Sequence, residues 1–508
     1  MEFNLIKEPW IPCFDGKDVK ELNLLESLSN AHDLKAISDP SPLVTISLYR
    51  LLVAVLHRVF GPASEEEWSN LWKAGRFDRT KLEGYLSKWS HRFDLFDDER
   101  PFFQDRSVEE YQEKGKSSTA LLKQELSCGI NPLLFDHTTD KTKLDTEPAE
   151  AARLLIAYNG YALDPKGAGG LTMKSGLLAG GILFMNQGES LFQTLLLSMV
   201  RYDPQHEIPS MTKVSDKPCW EREIKPAEER IPEGYLDWLT WQSRKMLLFP
   251  EDTNGRVVVN EVVRARGDSV PDQFSDGSPS YYFDVMLAFR LNEKPTGTSK
   301  PWEPLKFRTD KALWRDFFAL FESAGGNERH KYPKVVGWVG ELIQDGFLED
   351  VVIPVSAFGM SKNQAKVEFW KQEGFSLPAR YLSDPDLREK LHGVLTKVDG
   401  IGWRLASAGK KLVSDVTNRA SSGPTDLTYP YWSAMEPKFR EFVLDLAIDK
   451  EETTQFLLET KRVALDNYNR ISNSLGTSAK VMKTAAFGGR NLARKINELL
   501  KDSEEEDE

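Results

Sequence analysis

The sequence predicts an α+β fold: a large irregular mixed α/β N-terminal domain followed by a C-terminal four-helix-type bundle. Three observations predict it. Helix-period and strand-like segments alternate without any repeat through roughly the first 375 residues. From about Leu377 onward, long helix-period segments follow one another across short breaks, which is the pattern of a bundle. The composition, 40% hydrophobic and 28% charged over 508 residues, is globular and long enough for two or more domains. The expected divisions are 1–377 for the mixed domain, 378–501 for the bundle and 502–508 for an acidic, disordered tail.

In the mixed domain, apolar residues recur at helical spacing over 42–60, 65–73 and 147–159. Ala151, Leu154, Leu155 and Tyr158 share one face of the third, and Pro148 marks its first turn behind Thr146. Runs rich in β-branched and aromatic residues predict strands over 257–263 and 281–291, and a hairpin over 351–370. The bundle segments are 384–398, 403–420, 431–448, 452–472 and 478–501. Their breaks fall at Asp399-Gly400, at 421–424 and at Leu475-Gly476, and Phe439, Phe442, Val443 and Leu446 stripe one helix.

Charge and composition narrow the function. A net charge of −12 argues against a general nucleic-acid coat, yet residues 460–501 hold nine Lys or Arg against two acids. Six of the last seven residues are acidic. Any nucleic-acid affinity is therefore local, on a basic patch of an acidic body. No apolar stretch reaches the roughly 20 residues of a membrane span, and the first residues carry no secretory pattern. The three separated cysteines, Cys13, Cys128 and Cys219, fit neither a disulfide framework nor a CxxC metal site. A cytoplasmic location is expected.

Catalytic signatures are sparse. Gly115-Lys116-Ser117 resembles the end of a phosphate loop, but Glu110 stands where the first glycine belongs. His32-Asp33 is the dipeptide of metal-dependent phosphohydrolases, and the remaining histidines complete no ligand set. Three loops are more informative. The first, over 167–176, combines glycines that admit a ligand to the backbone with the cation of Lys174. The second, over 127–145, carries Leu134, Phe135 and Asp136 among turn formers. The third is the hairpin tip, where Asn363, Gln364 and Ala365 lie between Lys362 and Lys366. Amides read base edges and lysines hold phosphates, so this tip has the makings of a DNA probe.

These segments, in this order and spacing, together with the opening Asn4-Leu5-Ile6-Lys7-Glu8-Pro9-Trp10-Ile11-Pro12, resemble the CasA family. That family is the large subunit of the type I-E CRISPR surveillance complex (Cascade), and the resemblance covers essentially the whole chain. It implies a non-enzymatic, cofactor-free subunit in antiviral defense. Such a subunit finds the protospacer-adjacent motif (PAM) in double-stranded DNA, starts strand separation and recruits a separate helicase-nuclease. Its partners would be the other Cascade subunits, the crRNA 5′ handle and the target DNA, with no membrane.

By the resemblance, Gln364 is the wedge between Asn363 and Ala365, and Gly169, Gly170 and Lys174 mark the glycine loop. Leu134, Phe135 and Asp136 belong to a contact loop near the crRNA handle. The PAM-contacting basic residue is left open among Arg244, Lys245, Arg264 and Arg266. The physics suits these residue types. A glycine backbone reads the degenerate minor groove permissively, and a wedge must offset an unstacking cost of a few kcal/mol per step. Charge alone adds one expectation, that Lys480, Lys483, Arg490, Arg494 and Lys495 form a basic bundle face that holds the displaced strand. The competing readings are a metal-dependent phosphohydrolase built on His32 and Asp33, and a purely structural ribonucleoprotein subunit.

Overall fold

The computed structural model describes residues 1–123, 142–163, 166–170, 172–202, 214–271, 284–291, 302–321, 330–349, 352–363, 366–418, 424–449 and 453–501. The chain forms two compact units. One comprises Met1–Phe307, Arg329–Glu349 and Ile353–Gly374; the other comprises Arg308–Glu328, Asp350–Val352 and Phe375–Glu508.

The first unit is built around the helix Pro42–Val59, which is buried without interruption from Leu43 to His57. By length and composition this helix is apolar enough to cross a membrane, contrary to the sequence expectation, but 83% of it is packed inside the protein. Arg50 lies in its middle. The Arg50 guanidinium donates to both oxygens of the Asp284 carboxylate, at 2.9 and 2.6 Å, and to the Trp238 carbonyl at 2.8 Å. Neither side chain of the pair is more than 3% exposed. A buried guanidinium is tolerated only with such complete pairing.

Two sheets matter for the site. In one, the antiparallel strands Arg244–Thr253 and Arg256–Arg266 form a hairpin through Asn254 and Gly255, and Lys116–Ser118 pairs along its other edge. Both turn residues have positive φ (58° and 82°), the backbone twist that a two-residue hairpin turn requires. In the other, Val352–Asn363 is central, between Ile182–Asn186 and Lys366–Pro378. Its register runs from Val355 opposite Asn186 to Gly359 opposite Ile182.

The strand expected over 281–291 shrinks to Phe289–Leu291. Asp284, which holds Arg50, also accepts from the Met286 amide at 2.9 Å and turns the chain there. Residues 281–283 lie outside the described residues.

The second unit contains the helices Pro385–Thr417, Pro424–Ala447, Thr453–Ser474 and Ala479–Lys501. The break expected at Asp399-Gly400 does not occur; one helix of 33 residues runs through it. Close packing overrides the helix penalty of glycine here. A Cβ on Gly402 would lie 2.3 Å from the Trp432 ring, so only glycine lets the second helix approach. Phe442 and Phe456 stack at 4.0 Å in the bundle core.

The segment Leu313–Leu320 joins this core although it precedes the bundle by many residues. Trp314 packs on Phe439 at 4.8 Å, while Arg315 lies 3.6 Å over Trp432 and donates to Asp399 at 2.8 Å.

Candidate nucleic-acid interface

The glycine loop hangs from the end of the helix Pro148–Tyr161. The Gly176 amide donates to the Ala162 carbonyl at 2.7 Å and the Leu178 amide to Gly160 at 2.9 Å, which fixes the loop's return. A bridge between Lys166 and Thr172 closes its neck. At its turn Gly169 and Gly170 take φ of 76° and 70°, a left-handed pair that side chains rarely adopt. Gly169 packs over the Tyr111 ring, whereas the space beside Gly170 is open to at least 4 Å. The loop therefore offers bare backbone to solvent.

Chain order carries this loop to the hairpin. Residues 182–186 follow it directly and form the strand that pairs with Val352–Asn363. At the far end of that hairpin strand, Lys362 Nζ donates to Ser175 Oγ at 3.0 Å, across 187 residues of sequence. Two of the predicted loops are thereby joined. Burial, and after it the nearby positive charge of Lys306, lower the pKa of Lys362. Its ammonium thus faces a hydroxyl and another cation, so an incoming anion would be favoured there. Asn363 is exposed beside it. Gln364 and Ala365, the rest of the expected wedge, lie outside the described residues, as do Leu134, Phe135 and Asp136.

The remaining predicted residues are placed as follows. Lys174 is partly exposed but engaged: its ammonium pairs with Glu229 at 3.1 Å and donates to the Val270 carbonyl at 3.2 Å. Arg244 is 1% exposed and bonds the Lys174 carbonyl at 2.8 Å, which makes it a support beneath the loop. Lys245 is tied to Asp105. Arg264 donates to the Lys166 carbonyl at 3.0 Å at the loop's neck, and Arg266 is half-buried opposite Arg244. In the bundle Lys480, Lys483, Arg490, Arg494 and Lys495 are all exposed along one helix. His32 and Asp33 lie 3.4 Å apart, and among the described residues no three His, Cys, Asp or Glu side chains are grouped to hold a metal. Sequence reasoning missed Lys306 and Ser175, whose role depends on a contact that no local pattern announces.

Fold and loops define a class: a two-unit α+β protein ending in a helical bundle, with backbone and lysines gathered at one loop cluster of its first unit. The chain belongs to the CRISPR-associated Cse1 family, whose model matches residues 4–468. The curated CasA/Cse1 protein of Thermus thermophilus is 29% identical over 531 aligned residues, spanning 98% of each chain. The solved structure of Thermus thermophilus CasA (Cse1) superposes with a TM-score of 0.79 at 27% identity, covering 98% of this chain and 99% of that one. Cse1 from Acidimicrobium ferrooxidans gives 0.81 at 23% identity over 99% of both chains. A chain of a CRISPR RNA-guided surveillance complex gives 0.79 at 20% identity, over 97% of this chain and 99% of that one. The last two, at such identities, speak for the fold alone.

Proposed function

We propose that this chain is the large, non-catalytic subunit of a cytoplasmic type I-E surveillance complex that recognises the PAM in double-stranded DNA. The observation that carries the reading is the Lys362–Ser175 contact, which sets the hairpin tip against the glycine loop. The bare backbone at Gly169 and Gly170 then meets the minor groove, and Lys362 with Lys306 meets the phosphates. Gln364, next in sequence after Asn363, enters beside the last PAM pair as the wedge. RNA–DNA pairing replaces DNA pairing at near balance, so initiation is the step the protein controls.

Lys174 and Arg244 hold the loop in place in this reading, and Arg264 braces its neck. Leu134, Phe135 and Asp136 contact the crRNA 5′ handle region, and the assembled complex recruits the helicase-nuclease. The exposed cations of the last bundle helix hold the displaced strand.

The test is duplex binding by the reconstituted complex with and without PAM. Gln364→Ala should abolish PAM-dependent unwinding while assembly survives. A variant indistinguishable from wild type removes the wedge, and wild-type binding that ignores the PAM removes the recognition role.

A further inference from the structure

The bundle carries a cleft that the reading above does not use. It lies between the helices Pro385–Thr417 and Ala479–Lys501 and has a volume of about 190 Å³. Its walls include Trp403 and Phe487, which are 70% and 64% exposed. Large aromatic faces left in water at the mouth of a concave site mark a place where something docks. The floor contains Tyr468, only 2% exposed, whose hydroxyl has no hydrogen-bond partner among the described residues. Gly488 roofs that hydroxyl, where a Cβ would come within 2.1 Å of the oxygen.

The electrostatics of the rim identify the occupant. Arg404 on the first helix and Lys495 on the fourth border the cleft, while Lys411 and Asp415, also in its lining, pair with each other at 3.0 Å. The helix Ala479–Lys501 has six Lys or Arg and one Glu, so the groove continues into a cationic stripe. A cavity below the roughly 300 Å³ of ordinary small-ligand pockets has room for a single ring system. Aromatic faces, one-ring size and flanking cations are together the requirements of an unpaired nucleotide.

We propose that this cleft receives a flipped base of single-stranded DNA. Trp403 and Phe487 stack on the base, and Arg404 and Lys495 hold the neighbouring phosphates. The proposal rests on the reading of the bundle as the seat of the displaced strand, and it adds a base-dependent component to what charge alone would give.

The experiment compares the full-length chain's affinity for a labelled oligothymidine and for an abasic oligomer of equal length. Wild type should prefer the oligomer with bases by about tenfold. Trp403→Ala combined with Phe487→Ala should abolish that preference and leave the salt dependence unchanged, while Trp403→Phe keeps most of it. Both residues are exposed, so an unaltered thermal unfolding curve confirms that the variants are folded.

Equal wild-type affinity for the two oligomers overturns the proposal. If Lys483→Gln with Lys495→Gln then weakens both alike, the basic-face reading stands without it; if neither oligomer binds, both fall. A double variant that still prefers bases but no longer joins the reconstituted complex makes the cleft a subunit contact, and that also overturns the proposal.

Discussion

The body of the first unit and the last helix of the second treat positive charge differently. In the first, several cations are committed to carboxylates: Arg50 to Asp284, Arg230 to Asp237 and Asp268, Lys245 to Asp105 and, nearer the surface, Lys174 to Glu229. Lys362 is placed otherwise, facing Ser175 and Lys306. In the second, the last helix holds its cations outward; Lys480 and Arg490 donate to backbone carbonyls, and Arg494 pairs with Glu498. A cation clamped by a carboxylate is a structural joint and adds little to the binding of a polyanion. In the proposed function the first unit would therefore meet DNA at a point, where geometry decides, and the second along a line, where charge count decides.

The largest effect expected from disturbing this contrast is on stability. Arg50→Met strands the Asp284 carboxylate in the core and should cost about 3–5 kcal/mol in urea unfolding of the chain. A loss under about 1 kcal/mol would mean that the inward pairing is dispensable. Next in size, Lys483→Gln, Arg490→Gln and Lys495→Gln together should leave unfolding nearly unchanged. They should lower the slope of log affinity against log salt for single strands by roughly 2. A stable triple variant with an unchanged slope would erase the distinction between the units.

The smallest effect is a pH dependence at the hairpin tip. The pKa of Lys362 is lowered in the unbound protein by burial and by Lys306, and a phosphate at the tip favours the charged form and raises it. If the tip meets a phosphate as proposed, PAM-dependent affinity should thus be greatest below the lowered pKa. It falls by up to about tenfold per pH unit as pH rises through that value toward the bound one. Lys362→Arg, always charged, should flatten the profile, and a wild-type profile already flat would place Lys362 away from the phosphates.

What the sequence revealed follows how far each signal reaches. The strand around Val257–Val263 shows because its β-branched run is local; its partner Arg244–Thr253 does not, since Pro250 and acidic residues dilute the pattern and a bulge shifts the register at Phe249/Pro250. Asp399-Gly400 reads as a break because propensity is local, while the Trp432 ring that requires a glycine at 402 lies thirty positions on. At the site, Lys174 is legible as a cation, but Glu229, which pairs with it, is 55 residues away. The joining of the hairpin tip to the glycine loop spans 187 residues and leaves no trace in either segment.

The central placement of the strand Val352–Asn363 has a mechanical consequence. The five residue pairs from Val355–Asn186 to Gly359–Ile182 anchor it. Beyond Gly359 the strand runs four residues, roughly 13 Å, to Asn363, but Met360 and Ser361 are still buried and Lys362 is tied to Ser175, so Asn363 is the exposed end of the strand. The hairpin is thus clamped in the body of the first unit almost to its tip. A pull along the strand loads those pairs together in shear instead of peeling them one at a time, so the tip can bear a load without its mounting giving way.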